Sequence, residues 1–403
     1  MSQLQKERFS DFALWGGEPA FSHPQHVNRP FIANRERFEA RIRDALDRGW
    51  LTNGGPLVCE LEQRLADYLG TKHCVLTANA TLGLELVLQA LKVEGEVIMP
   101  SFTFVSTAHT LTKLGLTPVF ADIRRNDHNL DLAACEALAS ERTGAIIPTH
   151  IWGQPGDLEG FAKLSEQLGC PLIYDAAHAF DTQRGDRWLG QFGRAEVFSL
   201  HATKYFHAVE GGAITTSDDD LAAQIQLTRN FGFEDYDRVA SLGTNAKMSE
   251  LHAAMGLSNL ENIELIRDRA HKVHSTYSAG LNGIAGLRFL SLDVDCHSNR
   301  QYCVTEIDPD VFGLQRDQVI TLLHAENVFA RRYFYPGSHN LKPHCYTSPP
   351  PNLPVTEEVG ASILVLPGGA AMEADQASNI ASLLGEIQRS ADQLRQRFAA
   401  SLS

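Results

Sequence analysis

Short apolar runs alternate with stretches of helical period through the middle of the chain. The runs are almost continuously apolar, as in strands buried on both faces, and stretches such as TLGLELVLQALK (81–92) repeat their apolar residues at helical spacing. This alternation predicts an α/β fold with a mostly parallel sheet between helices. The seven predicted strands are HCVLTAN (73–79), EVIMPS (96–101), TPVFADI (117–123), GAIIPTHIWG (144–153), PLIYDAAH (171–178), AEVFSLHA (195–202) and GGAITTS (211–217).

The pattern changes near residue 258, where a long charged helix, NLENIELIRDRAHKVHSTYSAGL (259–281), is predicted. We therefore predict a large domain, residues 1–258 with an N-terminal arm of residues 1–30, and a small C-terminal domain, residues 259–403, of α/β or α+β type. The small domain is predicted to hold strands near GLRFLSL (286–292), QYCVTEID (301–308) and VFARRYFYP (328–336), and helices at about 315–327 and 373–400.

Charge and cysteine content exclude several classes of function. The net charge of −14 argues against nucleic-acid or anionic-membrane binding as the main activity. The seven cysteines are odd in number and contain no CxxC pair, so neither a disulfide framework nor a structural zinc site is expected, and we predict no metal. No apolar run is long enough to span a membrane, and the N-terminus lacks the apolar core of a signal peptide. A cytoplasmic location is the expectation.

Polar residues follow the predicted strands at their carboxyl ends, where open α/β sheets bind ligands. Asn79, Asp175, His178 and Lys204 all fall there. Lys204 could form a Schiff base with an aldehyde cofactor, although a lysine on a surface loop is the alternative. Asp175 could pair with a protonated pyridine nitrogen or could simply cap a helix. Together they indicate pyridoxal 5′-phosphate (PLP).

The stretch LTANATLGLEL (76–86) delivers small residues to a helix N-terminus. Free backbone amides at Ala80 and Thr81 suit a phosphate group, and Ser199 could add a hydroxyl. The stretch contains neither GxGxxG nor GxxxxGK[ST], which argues against dinucleotide and P-loop sites. Phe104, at the end of a strand, could cover one face of the cofactor ring or could pack in the core.

Several segments in this order resemble the DegT/DnrJ/EryC1/StrS aminotransferases, which modify sugars and have the aspartate-aminotransferase-like fold type I. The matching segments are NGGPLVCELEQRLADYLG, TANATLGLEL, MPSFTFVST, YDAAHAF, FSLHATKYFHAVEGGA, RNFGF and GTNAKMSELHAAMGL. The resemblance implies a seven-stranded sheet, Lys204 as the Schiff-base lysine, Asp175 on the pyridine nitrogen and His178 near the ring. It also implies Phe104 stacked on the ring, and Ala80, Thr81 and Ser199 on the phosphate.

The resemblance further implies a homodimer with shared active sites. GTNAKM matches the segment that reaches into the neighbouring site, so Asn245 would contact the other chain's phosphate, with Lys247 close to the substrate. The sequence has NAT where Ser-Gly-Thr is usual and GTNAKM where Gly-Tyr-Asn-Tyr-Arg-Met is usual. The second departure removes an aromatic residue and an arginine, which puts nucleotide contacts in doubt. YFYPGSH resembles a segment that lines the substrate cleft, which assigns Tyr335 and His339 to the substrate.

The implied reaction is transamination of a nucleotide-linked keto sugar, with L-glutamate as amino donor and pyridoxamine 5′-phosphate as the intermediate cofactor form. A lysine at position 204 favours this over dehydration, since the dehydrating relatives have histidine there. Four segments are similar to those of enzymes that convert dTDP-4-keto-6-deoxyglucose to dTDP-4-amino-4,6-dideoxyglucose, for deoxysugar or O-antigen synthesis. They are LWGGEPAF, EVIMPSFTF, FSLHATK and GTNAKMSE. Amination at C3, a UDP- or GDP-linked substrate, a fold type I lyase and a PLP-binding regulatory protein without turnover are the alternatives.

Overall fold

The computed structural model describes residues 6–291, 296–344 and 350–400. Parts of the predicted N-terminal arm (1–5) and of the small domain (292–295, 345–349 and 401–403) lie outside the described residues. The helices within the described ranges are α1 (Arg35–Arg48), α2 (Pro56–Leu69), α3 (Ala80–Ala90), α4 (Ser106–Lys113), α5 (Leu132–Leu138), α6 (Leu158–Leu168), α7 (Asp219–Thr228), α8 (Glu250–Leu260), α9 (Ile263–Gly280), α10 (Pro309–Phe312), α11 (Arg316–Ala325), α12 (Pro354–Ser362), α13 (Ala374–Arg389) and α14 (Ala391–Ala400).

The strands form one large sheet and several smaller ones. They are β1 (Gln25–His26), β2 (His73–Thr77), β3 (Glu96–Pro100), β4 (Thr117–Ala121), β5 (Thr143–Ile146), β6 (Ile173–Asp175), β7 (Gln183–Arg184), β8 (Arg187–Trp188), β9 (Ala195–Ser199), β10 (Gly212–Thr216), β11 (Leu287–Phe289), β12 (Cys296–His297), β13 (Cys303–Ile307), β14 (Val328–Phe329) and β15 (Ile363–Leu366).

The large sheet confirms the predicted mostly parallel seven-stranded sheet. Its order is β2-β10-β9-β6-β5-β3-β4, in which parallel bridges such as Thr149 to Asp175 join β5 to β6. Only β10 runs antiparallel to its neighbours β2 and β9. The carboxyl ends of the parallel strands therefore meet at one edge, and the loops that follow β3, β6 and β9 lie side by side there.

Both faces of this sheet are buried, which explains the continuous apolar runs. Successive residues of one strand enter different cores: Val75 packs with α3 and α4, whereas Leu76 packs with α2 and α8. Four of the helices begin at a polar N-cap residue whose side chain accepts a hydrogen bond from an N–H of the first turn. These N-cap residues are Asn79, Asp131, Asp157 and Asp218.

The predicted long charged helix over 259–281 is confirmed as α9 over Ile263–Gly280, and only its start is misplaced. Helix α8 ends at Leu260 and α9 begins at Ile263, with Asn262 in a non-helical conformation between them. The Asn262 side chain donates a hydrogen bond to the carbonyl of Ser258, which satisfies an acceptor at the end of α8. The chain therefore enters its C-terminal part through two helices joined by a short break.

The C-terminal sheet has the antiparallel order β11-β13-β15, and the third predicted strand is largely wrong. Of the run 328–336, only Val328 and Phe329 are in a strand, and they pair with β1 instead. All four residues of β15 are buried against helices such as α11, whereas Arg331 and Tyr335 of the predicted strand are exposed. Burial therefore selects β15 as the third strand of this sheet.

The N-terminal arm makes its contacts with the C-terminal part of the chain. Phe12 and Phe21 pack in the core formed around α11 and α13. Lys6 pairs with the buried carboxylate of Glu326 at 3.0 Å, and this carboxylate also accepts the N–H groups of Ala13 and Ala20. The division of the chain at residue 258 stays a prediction. The N-terminal arm was assigned to the large domain, but the contacts of residues 6–26 described here are with the C-terminal part of the chain.

Candidate active site

A cavity of about 410 Å³ opens at the carboxyl edge of the large sheet. Its wall brings together seven residues that the sequence nominated from four separate segments. These are Ala80, Thr81, Phe104, Asp175, His178, Ser199 and Lys204. Their convergence is a consequence of the strand directions, because β2, β3, β6 and β9 are parallel and the loops that follow them leave the sheet at the same edge.

One end of the cavity is the N-terminus of α3. Asn79 caps this helix by accepting the N–H of Leu82 at 2.9 Å. The amides of Ala80 and Thr81, which precede Leu82, have no acceptor within the helix and no partner among the described residues. Ser199 ends β9 beside them, and its hydroxyl oxygen faces the N–H of His201 at 3.5 Å. Unpartnered amides at a helix N-terminus attract an anion.

Gly212 sets the shape of this end of the cavity. A Cβ atom at this position would lie 2.5 Å from Thr77 Oγ1, 2.6 Å from the Asn79 carbonyl carbon and 2.7 Å from the Ala80 nitrogen. Only a residue without a side chain lets β10 approach the first turn of α3 this closely. The sequence alone did not indicate this role, although the pair Gly211–Gly212 stands in the motif FSLHATKYFHAVEGGA.

Asp175 presents its carboxylate at the end of β6. Thr107 Oγ1 donates a hydrogen bond of 2.7 Å to Oδ2, and the N–H of Ala177 donates one of 3.1 Å to Oδ1. No helix begins at residue 176, so the helix-capping alternative for Asp175 is wrong. The two hydrogen bonds fix the orientation of the carboxylate.

His178 is buried within an aromatic cluster. Its ring stacks near those of Trp152 and Phe334, and its centroid lies 4.4 Å from that of Tyr302. Burial, helped by the positive charge of Lys204, lowers the pKa of His178 well below its usual value, so the imidazole is neutral. Nδ1 accepts the N–H of Trp152 at 3.3 Å, which leaves the proton on Nε2.

Lys204 follows β9 and lies half-buried in the cavity wall. Within the described ranges, its ammonium group has no hydrogen-bond or ion-pair partner. Burial lowers the pKa of Lys204 to about 8, and the attraction of Asp175 opposes part of this shift. A large fraction of the amine is therefore neutral near pH 8, as a nucleophile requires.

Phe104 projects from the loop after β3 with 60% of its surface exposed. The alternative that it packs in the core is therefore wrong. An exposed phenyl ring on a cavity wall offers a flat apolar surface, which suits stacking against a planar ligand.

Residues outside the large sheet, which were not predicted from the sequence, complete the wall. They are Asn28 from the N-terminal arm, Tyr302 from the segment before β13, and Tyr333 and Phe334 from the loop after β14. Thr107 and Trp152 were also overlooked, although both stand inside quoted segments. For a polar or aromatic residue in a loop, the local sequence does not indicate which cavity the side chain will line.

Four nominated residues lie outside this cavity. Tyr335 lines an adjacent cavity that shares Phe104, Tyr333 and Phe334 with the first. His339 is buried, and its Nδ1 lies 2.5 Å from Ser101 Oγ, so the structure does not place it on the wall of either cavity.

Asn245 and Lys247 lie together in the segment before α8. Asn245 is exposed, and Lys247 Nζ donates a hydrogen bond of 2.8 Å to its Oδ1. The segment is tied to the site because the N–H of Ala78 donates to the carbonyl of Ala246 at 2.7 Å.

Within the described residues, no cluster of His, Cys, Asp and Glu side chains could hold a metal ion. No helix in those ranges is long and apolar enough to cross a membrane.

Comparison with known proteins adds independent information. Residues 33–384 match the DegT/DnrJ/EryC1/StrS aminotransferase family. A dTDP-4-amino-4,6-dideoxy-D-glucose transaminase of Shigella dysenteriae is 33% identical over 365 residues, 91% of this chain and 99% of that protein. One of the same name from Escherichia coli is 35% identical over 345 residues, 85% of this chain and 92% of that protein. The crystal structure of DesI with its TDP-sugar product superposes with a TM-score of 0.93 at 43% identity, covering 97% of this chain and 99% of DesI.

Proposed function

This chain belongs to the DegT/DnrJ/EryC1/StrS aminotransferase family and is a PLP-dependent aminotransferase of fold type I, and we propose that it aminates C4 of dTDP-4-keto-6-deoxyglucose. The product would be dTDP-4-amino-4,6-dideoxyglucose, with L-glutamate as the amino donor. The observation that carries the proposal is the unpartnered, partly neutral Lys204 amine in one cavity with the Asp175 carboxylate and the free amides of α3.

The choice of sugar is supported by the names of similar proteins. Both transaminases named above act on dTDP-4-amino-4,6-dideoxy-D-glucose, and DesI was crystallised with a TDP-sugar. A nucleotide-linked sugar carries two phosphate charges and a bulky ring system. The cavity beyond Phe104, with a volume of about 640 Å³ and the side chains of Arg331 and Tyr335 in its wall, offers space for such a substrate.

The residues present fit PLP from one end to the other. The free amides of Ala80 and Thr81 would hold the phosphate, and Ser199 would add a hydroxyl. Asp175 would hold a proton on the pyridine nitrogen, and Phe104 would cover one face of the ring. His178 presents an Nε2–H group to the same cavity.

When bound, PLP supplies a carbonyl carbon that takes up an amine and a ring that withdraws the electrons left when a proton departs. Lys204 does the proton chemistry. Its neutral Nζ can take a proton from the α-carbon of the donor in the first half-reaction, and its ammonium form can return one to the sugar carbon in the second. A pKa of about 8 keeps both forms populated near neutral pH.

Substitution of Gly212 by alanine is expected to weaken PLP binding. The added Cβ would push the first turn of α3 away from β10 and misplace the amides of Ala80 and Thr81. We expect the Kd for PLP to rise about tenfold or more, since tenfold corresponds to about 1.4 kcal/mol. Quenching of intrinsic fluorescence during a PLP titration measures this.

The matched control is Gly211→Ala. Its Cβ would come closest to the terminal methyl group of Met248, at 2.5 Å, and this flexible side chain can move away. Equal Kd values for the two variants would contradict the role given to Gly212.

The substrate assignment is tested with a panel of nucleotide keto-sugars and glutamate. The panel contains dTDP-4-keto-6-deoxyglucose, its UDP and GDP counterparts and a dTDP-3-keto sugar, with NMR of the product to locate the new amine. We expect the dTDP-4-keto substrate to have the highest kcat/KM, by about tenfold or more. Amination at C3, or preference for another nucleotide, would overturn the substrate assignment, and no product from any sugar would overturn the reaction.

A homodimer with shared sites is part of the proposal. Asn245 is exposed and its segment is bonded to Ala78, just before α3, and none of Ala80, Thr81 and Ser199 carries a positive charge to offset a phosphate. The nearby segment 231–242 exposes apolar side chains, namely Phe231, Phe233, Tyr236, Val239 and Leu242. Exposed apolar patches mark protein interfaces, so a second chain is expected to cover this segment and to receive Asn245 near its own phosphate site.

Mixing two inactive variants tests the shared site. A Lys204→Ala chain paired with an Asn245→Ala chain should form one site with both lesions and one with neither. Activity is then expected to exceed that of either parent when subunits exchange. A doubly substituted chain mixed with Lys204→Ala is the control and should recover nothing. A fully active monomer, or no recovery although both parents are impaired and subunits exchange, would contradict sharing.

Lys247 and Tyr335 are proposed to contact the sugar nucleotide, and His339 is proposed to act only by supporting the loop that carries Tyr335. The cytoplasmic location is proposed from the odd number of cysteines without a CxxC pair.

A further inference from the structure

The segment that carries Lys204 is irregular. It connects β9 to β10, and the N–H of Lys204 itself is bonded only within the turn, to the carbonyl of His201 at 2.8 Å. The loop that carries Asp175 and His178 is equally irregular as far as β7. Two irregular segments keep a constant separation only if other contacts hold them together.

Asp181 provides one such contact. Its carboxylate is fully buried and lies six residues after Asp175. Tyr205, next to Lys204, donates a hydrogen bond of 2.7 Å to Oδ2, and Tyr68 of α2 donates one to Oδ1. Arg267 of α9 adds two bonds, from Nε to Oδ2 at 3.0 Å and from Nη2 to Oδ1 at 2.7 Å. Each oxygen therefore accepts one hydroxyl and one guanidinium N–H.

This arrangement satisfies a buried charge completely. The guanidinium of Arg267 neutralises the carboxylate, and both tyrosine hydroxyls remain protonated because burial and the Asp181 charge raise the pKa of each. Asp181 has a backbone φ of +62°, a conformation that residues other than glycine adopt rarely. The loop accepts this conformation at the point where its carboxylate meets all four donors.

A second contact comes from the segment before β13. Gln301 is buried, and its Nε2 donates a hydrogen bond of 2.7 Å to the carbonyl of Thr203, directly before Lys204. Two residues earlier, Asn299 Nδ2 donates to the carbonyls of His178 and Phe180, both at 2.8 Å. One short segment therefore binds the lysine turn and the aspartate loop at the same time.

We propose that Asp181, Tyr205 and Gln301 are positioning residues that hold the Lys204 turn against the loop carrying Asp175 and His178. They touch no substrate, and they act by keeping the Lys204 amine half-buried at a constant distance from the Asp175 carboxylate. The proposal rests on the proposed function only in taking Lys204 as the reacting amine.

The charge state of the Lys204 amine reports its position. Burial is the main cause of its lowered pKa, so a turn that loosens and admits water will raise that pKa toward the ordinary lysine value. The titratable groups that line the cavity with it are Asp175, His178, His201, Glu210, Tyr302 and Tyr333. The substitutions proposed below alter none of them.

Tyr205→Phe and Tyr68→Phe form a matched pair. Each removes one hydroxyl from one oxygen of Asp181 and leaves that oxygen its bond to Arg267. Tyr68→Phe also removes an acceptor of Arg267 Nη2, at 2.9 Å, but only Tyr205 belongs to the lysine turn. Gln301→Met removes the bond to Thr203 and leaves the Asp181 cluster intact. The full-length chain, freed of PLP, is labelled with acetic anhydride across a range of pH, and mass spectrometry of the Lys204 peptide yields its pKa.

We expect Tyr205→Phe and Gln301→Met each to raise the pKa of Lys204 by about 0.5–1 unit, and Tyr68→Phe to leave it unchanged. The midpoint temperature of thermal unfolding should fall by similar amounts in the two tyrosine variants. Equal pKa shifts in Tyr205→Phe and Tyr68→Phe, or an unshifted pKa in both Tyr205→Phe and Gln301→Met, would overturn the proposal. If Tyr205→Phe fails to fold, Gln301→Met decides. No sugar or amino donor is used, so failure here is distinct from failure of the proposed reaction.

Discussion

Lys204→Ala is expected to reduce transamination by at least about 10³-fold while leaving the chain folded. In the proposed mechanism, removing the amine takes away both the nucleophile that would bind the cofactor carbonyl and the group that would move protons in each half-reaction. Neither role can pass to the nearby His178, because its lowered pKa keeps it a weak base. Rapid mixing of the PLP-loaded protein with glutamate measures the first half-reaction directly.

The folded state of Lys204→Ala should be intact because Nζ has no hydrogen-bond or ion-pair partner in the described part of the chain. In the absence of PLP, the folded chain releases the lysine proton near pH 8 and the unfolded chain near pH 10. Between these values the unfolded state binds more protons, so the stability of the unsubstituted protein should rise with pH relative to the variant. Urea unfolding at pH 7 and pH 10 measures the difference.

The control for this substitution is Lys163→Ala, which removes an exposed lysine from α6. It should leave both activity and stability unchanged. Normal turnover by Lys204→Ala would contradict the assignment of Lys204 as the reacting amine.

Asp175→Asn is expected to reduce kcat by about 10²- to 10⁴-fold, while the Kd for PLP changes little. The amide carries no charge to hold a proton on the pyridine nitrogen, so the ring withdraws electrons less strongly. The amides of Ala80 and Thr81 at the opposite end of the cavity are untouched, which preserves the phosphate site. Steady-state kinetics and a PLP titration of the same preparation separate the two effects.

Thr107→Val tests whether the charge or its hydrogen bond is important. Valine has nearly the shape of threonine, and its substitution removes the 2.7 Å bond to Asp175 Oδ2 but leaves the carboxyl group itself in place. We expect a loss in kcat of about tenfold or less, in line with one hydrogen bond. If Asp175→Asn retains a rate near that of the unsubstituted protein, Asp175 has a structural role only.

The sequence by itself predicted the strands of the large sheet and nominated seven of the residues that line the cavity at its edge. Seven apolar runs predicted seven strands correctly, because strands buried on both faces can tolerate few polar residues. Asp175 and Lys204 were nominated together because the carboxyl ends of parallel strands meet at one edge, so residues far apart in sequence become neighbours without any knowledge of side-chain packing. The segments shared with the family supplied the remaining roles.

Only the tertiary structure decided how other parts of the chain approach that centre. The antiparallel strand β10 lies between β2 and β9, and the close contact at Gly212 depends on that neighbour. The selection of β15 over residues 330–336 as a strand depended on burial against helices distant in sequence. His339 lies in a quoted motif but turns inward to Ser101, which no local pattern indicates.

The cluster around Asp181 shows most clearly what local sequence could not predict. Tyr68, Asp181, Tyr205 and Arg267 come from four separate segments, and in sequence each is an ordinary residue in a helix or loop. A buried carboxylate is stable only when its charge is neutralised and both oxygens are hydrogen-bonded. That condition is met by the folded arrangement of all four segments, so local sequence determines which residues can react, whereas long-range packing determines what holds them in place.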